Sequence, residues 1–582
     1  MKSFLKNILA TIIGIISSII VMILLIIGFV AIISSEDEVK VKENSILKID
    51  LANTSVVERS SENPFDGLSL SGDVASTIEL KQVLDNIEKA KNDNKIKAIY
   101  INTSFVNAGL SQIEEIRNKL VEFKSCGKPI IAYSEVYSQS GYYFSSVADK
   151  IYLNPEGIVE LNGLSAGIMF YKGLLEKLDI EVQIIRHGKF KSAVEPFMLD
   201  KMSDANREQM QLLLNSFADN LFDSIASQRG MTLSDIHNHA NNLSLENAKS
   251  CLDLHYVDAL LYQDQVDDSL LVISKSEKLN FISLNKYSNV KVEKKEISRN
   301  KIAIIYATGE INSGEGDEKS IGSETTAKAI KTAREDKNVK AIVLRVNSPG
   351  GSALASDVIW RETVLAKEEK PLIVSMGDYA ASGGYYIACA ADSIVANPTT
   401  LTGSIGVFGM IPNLQKLYKN KLGISIDTVN TNKHADMGMN RALTKFEEDK
   451  IQKSVVDIYT TFITHVGEGR NMSTTAVDEI GQGRVWTGYD AKDIGLIDTY
   501  GGLEKAVEIA VYLAKIEDYR IISLPKKKDP FAELALKFGG ETSISDLVML
   551  KLGLKTELTN PIENLLKRDK IQARIPFIME LK

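Results

Sequence analysis

Short apolar runs alternate with amphipathic stretches through the first half of this chain. Residues 45–51, 98–102 and 129–133 have the length and apolar content of buried strands. Residues 77–91 repeat their apolar positions at helical spacing. This β–α alternation predicts an α/β layer fold.

The same alternation restarts at residues 301–306, which are again strand-like. Residues 323–335 and 355–367 are predicted to be the helices between the following strands. A long helix predicted at 444–467 matches one predicted at 203–227. The second half is therefore predicted to repeat the architecture of the first.

Individual residues recur as well as the pattern. Tyr142-Tyr143 and Asn154-Pro155 are found again, each 243 residues later, as Tyr385-Tyr386 and Asn397-Pro398. Such a period is too long for a solenoid repeat and indicates two homologous domains. We expect them at residues 36–292 and 293–520, after a segment at 1–35 and before a tail at 521–582.

Differences between the two copies indicate where chemistry is retained. Ser382 in the second half stands opposite Gln139 in the first, and the pair Gly350-Gly351 has no glycine pair opposite it. Conversely, Lys191 of the first half stands opposite Ala435. Each half thus keeps a feature that the other lacks.

Ser382 follows an apolar segment and precedes Gly383-Gly384, which predicts a strand that turns sharply into a helix. The Gly383 N–H would point to a developing oxyanion, and the turn at Gly350-Gly351 would supply a second donor. A serine hydroxyl is a weak nucleophile and needs a base to take its proton.

Lys191 is the candidate for that base, provided that it is deprotonated. Burial between the halves would lower its pKa from about 10.4 toward neutrality, at a cost on the order of 4 kcal/mol. No histidine lies in the glycine-rich segments, although His187 and His434 are close to the lysine region in sequence. Lys189 matches Lys433 of the other copy and is therefore a weaker candidate than Lys191.

Four motifs in order resemble those of the long, duplicated members of the signal peptide peptidase A, or protease IV, family. They are Phe190-Lys191-Ser192-Ala193-Val194-Glu195-Pro196-Phe197, Asn347-Ser348-Pro349-Gly350-Gly351, Ala381-Ser382-Gly383-Gly384-Tyr385-Tyr386 and Thr402-Gly403-Ser404-Ile405-Gly406. The resemblance covers nearly the whole chain. It implies two tandem crotonase-like, Clp-protease-like domains and a Ser–Lys endopeptidase, with Ser382 as nucleophile and Lys191 as general base. It also implies a bowl-shaped homotetramer.

The amino-terminal segment predicts a membrane anchor. Residues 8–35 carry no charge, and about 20 apolar residues suffice to cross a bilayer. Lys2 and Lys6 precede this stretch and Glu36, Asp37 and Glu38 follow it, which orients the amino end toward the cytoplasm. We therefore expect a single-pass protein of the inner membrane with a periplasmic catalytic body.

The composition limits the classes of ligand and partner that we expect this protein to bind. The net charge of −8 is spread along the chain and gives no reason to expect nucleic acid. The three cysteines are far apart and have no metal-ligand spacing, so we expect neither a metal nor another cofactor. The predicted activity is hydrolysis of hydrophobic peptides such as cleaved signal peptides. Two alternatives remain open, a crotonase-like acyl-CoA enzyme and an inactive peptide-binding scaffold.

Overall fold

The computed structural model describes residues 39–60, 76–290, 298–527 and 571–575, with isolated positions between residues 6 and 21. Across these residues no helix has the length and apolar character needed to span a membrane. The predicted anchor at 8–35 lies outside the described residues except at those isolated positions. Most of the predicted tail, beyond residue 527, lies outside them too.

The described part of the first half is built on nine strands and ten helices. The strands are β1 Ser45–Ile49, β2 Thr54–Val57, β3 Ser76–Glu79, β4 Ile96–Ile101, β5 Ile130–Tyr137, β6 Lys150–Val159, β7 Glu181–Arg186, β8 Ala259–Leu260 and β9 Phe281–Ser283. The α-helices are Leu80–Asn92, Leu110–Phe123, Gln139–Ser145, Lys172–Lys177, Glu195–Met198, Asp204–Arg229, Leu233–Asn241, Ala248–Asp253, Gln263–Ser274 and Leu284–Ser288, with 3₁₀ turns at Lys124–Cys126 and Ser192–Val194.

The remaining described residues form thirteen strands and seven α-helices. The strands are β10 Lys301–Thr308, β11 Glu310–Asn312, β12 Ser320–Gly322, β13 Val339–Ser348, β14 Gly350–Ser352, β15 Leu372–Ala381, β16 Ser393–Ala396, β17 Leu401–Gly403, β18 Phe408–Asn413, β19 Val485–Thr487, β20 Thr499–Tyr500, β21 Arg520–Leu524 and β22 Ile571–Arg574. The α-helices are Ser323–Glu335, Ala353–Glu369, Gly383–Ala388, Lys445–Arg470, Thr474–Ile480, Gly488–Asp493 and Leu503–Ala514, with a π-helical turn at Leu417–Lys421.

Each half is organised around its own, mostly parallel sheet. The first has the order β8-β6-β5-β4-β1-β9, and all of its pairs are parallel. The second has the order β19-β17-β15-β13-β10-β21, with β16 paired to β15 and β20 paired to β16. In the second sheet only the pair of β17 with β19 is antiparallel. Central strands such as β4 (IKAIYI) are apolar on both faces because helices cover both sides. The α/β class and the duplication predicted from sequence are confirmed.

The two long helices are also found where the sequence predicts them. Asp204–Arg229 begins after Ser203, whose hydroxyl accepts a hydrogen bond from the Asn206 N–H. Lys445–Arg470 begins after Thr444, which forms a capping box with Glu447. Such caps satisfy backbone donors that have no partner within the helix, so they fix where each helix starts.

A third sheet joins the halves. Its order is β12-β11-β14-β22-β18-β7, and β7 is the strand that comes from the first half. It pairs antiparallel with β18 along Glu181 to Arg186. The strand β22, which the sequence pattern did not predict, lies between β14 and β18. This sheet brings residues from both halves and from the far end of the chain to one place.

A buried ion cluster provides a second connection between the halves. Arg345 on β13 is fully buried and contacts two carboxylates of the first half. Its Nε and Nη2 lie 2.8 and 2.9 Å from the Glu58 carboxylate, and Nη2 lies 2.7 Å from Glu115 Oε1. Gln112 donates a further hydrogen bond to Glu58 at 3.0 Å. Pairing and hydrogen bonding offset the large cost of burying these charges.

Candidate active site

Ser382 lies at the junction between β15, which ends at Ala381, and the helix that begins at Gly383. Its backbone has φ 57° and ψ −114°, a left-handed conformation that is strained for a residue with a side chain. The Ser382 N–H donates to the Gly403 carbonyl at 2.7 Å, which holds the turn. The sharp strand-to-helix turn predicted from the glycines is therefore present.

Lys191 reaches this serine from the first half. Its Nζ lies 2.9 Å from Ser382 Oγ, although 191 residues separate the two in sequence. Nζ also contacts the hydroxyl and the carbonyl oxygen of Ser404, at 3.0 and 3.2 Å. Both Lys191 and Ser382 have no exposed surface.

The surroundings of Lys191 favour its neutral form. Burial lowers the pKa of Lys191 well below its ordinary value, because a charged ammonium loses its hydration there. Among the described residues no carboxylate forms an ion pair with its Nζ, so nothing offsets that loss. A neutral amine hydrogen-bonded to a hydroxyl has a lone pair available to accept the hydroxyl proton.

Glu195 connects the segment that follows Lys191 to the start of the helix Asp204–Arg229. This carboxylate is buried and accepts hydrogen bonds from the Ser203 hydroxyl at 2.6 Å and the Asn206 amide at 3.0 Å. It also accepts one from the Ser203 N–H at 3.1 Å. The sequence analysis did not assign it a role, although Glu195 lies inside one of the four motifs quoted above.

The predicted oxyanion glycines converge on the serine. Gly350 and Gly351 have φ values of 99° and 159°, the first of which strongly favours glycine. A side chain on Gly350 would approach the Gly383 nitrogen to 2.9 Å, and one on Gly383 would approach the Gly351 nitrogen to 3.2 Å. The three glycines therefore form a narrow cradle with backbone N–H groups beside Ser382.

Other candidates lie away from Ser382. The ring of His187 packs against Tyr459 with 4.3 Å between centroids, and His434 is hydrogen-bonded to Glu447 at 2.8 Å. The Lys189 ammonium lies over the Phe190 ring, 5.0 Å from its centroid. None of these side chains contacts the serine, so the geometry favours Lys191 among the basic residues considered.

The site has a serine with a strained backbone, a buried amine in contact with its hydroxyl, and backbone N–H groups beside it. This arrangement is that of a serine hydrolase. The comparisons with known proteins are consistent with that class. The model of "Peptidase family S49" matches residues 122–275 and 365–517, once in each half. This chain belongs to peptidase family S49 and is a serine protease.

Two relatives are similar to this chain over about three quarters of their own length. The chain is 38% identical to Protease 4 of Salmonella typhi over 463 residues, which is 78% of this chain and 74% of that protein. It is 34% identical to the chloroplastic serine protease SPPA of Arabidopsis thaliana, over 87% of this chain and 75% of that one. Among solved structures, a ClpP1 mutant of Listeria monocytogenes is similar, with 16% identity and a TM-score of 0.24, over 35% of this chain and 94% of that one.

Proposed function

We propose that this protein is a Ser–Lys endopeptidase in which Ser382 is the nucleophile and Lys191 the general base. The observation that carries the proposal is the 2.9 Å contact between Lys191 Nζ and Ser382 Oγ inside a fully buried site. As the hydroxyl attacks a peptide carbonyl, Lys191 takes its proton and later gives it to the departing amine.

Backbone N–H groups stabilise the charge that forms on the carbonyl oxygen. Gly383 supplies one donor from the first turn of its helix, and the turn at Gly350-Gly351 supplies the second. Each donor aimed at a developing oxyanion contributes about 3–4 kcal/mol to lowering the barrier. Ser404 acts on Lys191 through its hydroxyl and carbonyl, which fix the direction of the amine.

Labelling with a biotinylated fluorophosphonate tests the nucleophile directly. We expect the label on Ser382 in the wild-type protein and no label in Ser382→Ala. Ser404→Ala keeps the nucleophile and serves as the matched control, which should still be labelled. A label on any other residue of the active protein would contradict the assignment.

The proposed substrates are hydrophobic peptides, including signal peptides left after secretion. Apolar side chains surround the serine turn, since Ala381 packs in one cluster with Leu401, Phe217, Leu213 and Val485. An apolar substrate side chain entering this cluster would gain about 25 cal/mol per Å² that it buries. A peptide with aspartate in place of leucine near the cut should therefore be hydrolysed at least tenfold more slowly.

We also propose that the chain is anchored in the inner membrane by residues 8–35, with its catalytic body in the periplasm. The support is the uncharged stretch and the charges that flank it. Fusion of a periplasm-dependent reporter at residue 39 should be active, and removal of residues 1–35 should release the protein from the membrane fraction. Activity of a cytoplasm-dependent reporter at that position would contradict the orientation.

A homotetramer is the proposed assembly. Apolar side chains are exposed at Leu422, Ile424, Ile426 and Val429, four positions close together in sequence, and we take this segment as a candidate interaction surface. Light scattering of the detergent-solubilised protein should give four chains per particle. A monomer that is active at nanomolar concentration would contradict the proposal.

A further inference from the structure

A cleft of about 550 Å³ lies between the helix Asp204–Arg229 of the first half and the residues in and after β19 of the second. Direct hydrogen bonds join its two walls. The Val485 N–H donates to Gln209 Oε1 at 2.8 Å, and the hydroxyl oxygens of Ser216 and Thr487 lie 2.9 Å apart. The cleft is therefore part of the junction between the halves, and the proposed Ser–Lys chemistry makes no use of it.

The second sheet connects this cleft to the serine. Ala381, which precedes Ser382, pairs with Gly403 of β17, and Gly403 pairs with Val485 of β19. Neighbouring strands are about 4.8 Å apart, so the β19 wall of the cleft is roughly 10 Å from the strand that leads into Ser382. An extended chain rises about 3.3 Å per residue and covers that distance in about three residues. A peptide bound at the serine is therefore long enough to enter the cleft.

Carboxylates outnumber cations along the cleft. Asp219, Asp223 and Asp490 line it, whereas Arg484 is the only basic side chain among its described lining residues. Asp219 lies 2.8 Å from the Nε2 of His237. Asp223 has no hydrogen bond or ion pair with any residue that the structure describes. This excess of negative charge attracts a cationic group and repels an anionic one.

Aromatic and aliphatic side chains complete a site for a long basic side chain. Trp486 and the half-exposed Tyr489 and Leu212 line the same cleft. The Arg484 guanidinium lies over the Trp486 ring, 4.3 Å from its centroid, so a ring of the cleft already stabilises a cation. The apolar stem of a substrate lysine would pack on Tyr489 and Leu212 while its ammonium reaches the carboxylates.

A buried amide indicates that the cleft also receives peptide main chain. Gln209 lines the cleft and is 1% exposed. Its oxygen accepts from the Val485 N–H, but its Nε2 has no hydrogen-bond partner within the described part of the chain. A buried donor without a partner is destabilising, and a peptide carbonyl in the cleft would satisfy this one.

We propose that this cleft binds a lysine or arginine side chain of the peptide substrate, three or more residues from the bond that is cut. The inference rests on the proposed endopeptidase function and adds a second specificity site to it. Signal peptides combine an apolar core with a positively charged amino-terminal region. An acidic cleft close to an apolar catalytic site favours that combination over peptides that are apolar throughout.

Short apolar peptides with one cleavable bond test the specificity. Each peptide carries one lysine between the third and the sixth residue on either side of the cut, and its matched peptide carries methionine there. We expect the wild-type kcat/KM to be about tenfold higher with lysine at one or more of these positions, mainly through a lower KM. In the double variant Asp219→Asn with Asp223→Asn this advantage should disappear, while the methionine peptides are cut at the wild-type rate.

The matched control is Asp264→Asn with Asp268→Asn. These two aspartates are also four residues apart and exposed on a helix of the first half, Gln263–Ser274, but they do not line the cleft. The control variant loses the same charge and should keep the preference for lysine.

The fluorescence of Trp486 reports occupancy of the cleft without catalysis. The chain has two tryptophans, so Trp360→Phe leaves Trp486 as the only one. In Trp360→Phe protein that also carries Ser382→Ala, the best lysine peptide should change the emission at a concentration at least fivefold below that needed with its methionine counterpart. Adding Asp219→Asn and Asp223→Asn should remove this difference.

The outcomes separate this inference from the proposed function. Wild-type protein that cuts the methionine peptides and shows no preference for lysine at any position overturns the basic-residue site alone. An equal loss on lysine and methionine peptides in the Asp219→Asn, Asp223→Asn protein also overturns it. Wild-type protein that cuts no peptide and is not labelled at Ser382 overturns the proposed function, and with it this inference.

Discussion

Gln139 is hydrogen-bonded twice to Gly163, its amide donating to the carbonyl at 3.2 Å and its carbonyl oxygen accepting from the N–H at 3.0 Å. The corresponding pair in the second half is Ser382 and Gly406, where the serine hydroxyl donates to the carbonyl at 3.4 Å. Each pair is 24 residues apart in sequence. In the first half the glutamine amide therefore makes two hydrogen bonds at the position where the second half has the serine hydroxyl, which makes one to the matching glycine.

Restoring the serine in the first half should not create a second active site. We expect Gln139→Ser combined with Ser382→Ala to be as inactive as Ser382→Ala alone, because the first half lacks the glycine pair and the second half has Ala435 where it would need a lysine to serve a serine at 139. Loss of two buried hydrogen bonds should lower the free energy of unfolding by about 1–3 kcal/mol. Peptide hydrolysis and urea unfolding of the two variants check these expectations, and rescue of activity by Gln139→Ser would contradict them.

Removal of the Ser382 hydroxyl should reduce peptide hydrolysis by at least 1,000-fold, since loss of a serine nucleophile costs up to about 10⁶-fold in kcat. The fold should persist, because alanine at 382 leaves the backbone and its hydrogen bonds unchanged. The kcat/KM of Ser404→Ala should fall only about tenfold, because this variant loses roughly one hydrogen bond that orients Lys191. Equal losses in the two variants, measured as kcat/KM, would mean that Ser382 is not the nucleophile.

The sequence predicted the parts of this structure that depend on local pattern or on comparison of the halves. The α/β alternation, the long helices and the turn at Ser382 were predicted from spacing and from glycines. The pairing of Arg345 with Glu58 across 287 residues was not, because no local pattern encodes which distant charges meet. The strand β22 was missed for a similar reason. Its four residues show no strand pattern of their own, and their extended conformation depends on pairing with β14 and β18, which are distant in sequence.

The Arg345 cluster should contribute strongly to stability. Arg345→Met leaves the buried carboxylates of Glu58 and Glu115 without their cation, and breaking a buried pair in this way typically costs about 3–5 kcal/mol. Arg334→Met is the matched control, because its partners Glu362 and Glu369 are 21% and 49% exposed, and ion pairs in contact with water contribute about 1 kcal/mol or less. Urea unfolding of both variants gives the comparison. A loss below 1 kcal/mol for Arg345→Met would show that the cluster does not hold the halves together.

Lys191 should reduce stability at neutral pH. Its pKa is lowered in the folded protein, so the unfolded chain binds the proton more tightly between that lowered pKa and about 10.4. Within this window stability rises with pH, and the cost of burying the amine disappears as the pH approaches 10.4. We therefore expect Lys191→Met to raise the melting temperature at pH 7 and to lose that advantage near pH 10. A melting temperature unchanged or lowered at pH 7 would contradict the neutral, buried state.

The activity of the wild-type protein should rise with pH through a single ionisation well below the ordinary lysine pKa, and then level off. The reason is that only the deprotonated Lys191 amine accepts the proton of Ser382, and burial lowers the pKa of that amine. Arginine does not deprotonate in proteins, so Lys191→Arg should be as inactive as Lys191→Ala although it keeps the positive charge. Lys189→Ala is the matched control and should retain most activity, since its ammonium lies over Phe190 and does not contact the serine. The pH dependence of kcat/KM, measured for wild type and these three variants in one assay, tests whether Lys191 is the general base. An active Lys191→Arg would assign the base to another residue and return His187 and His434 to consideration.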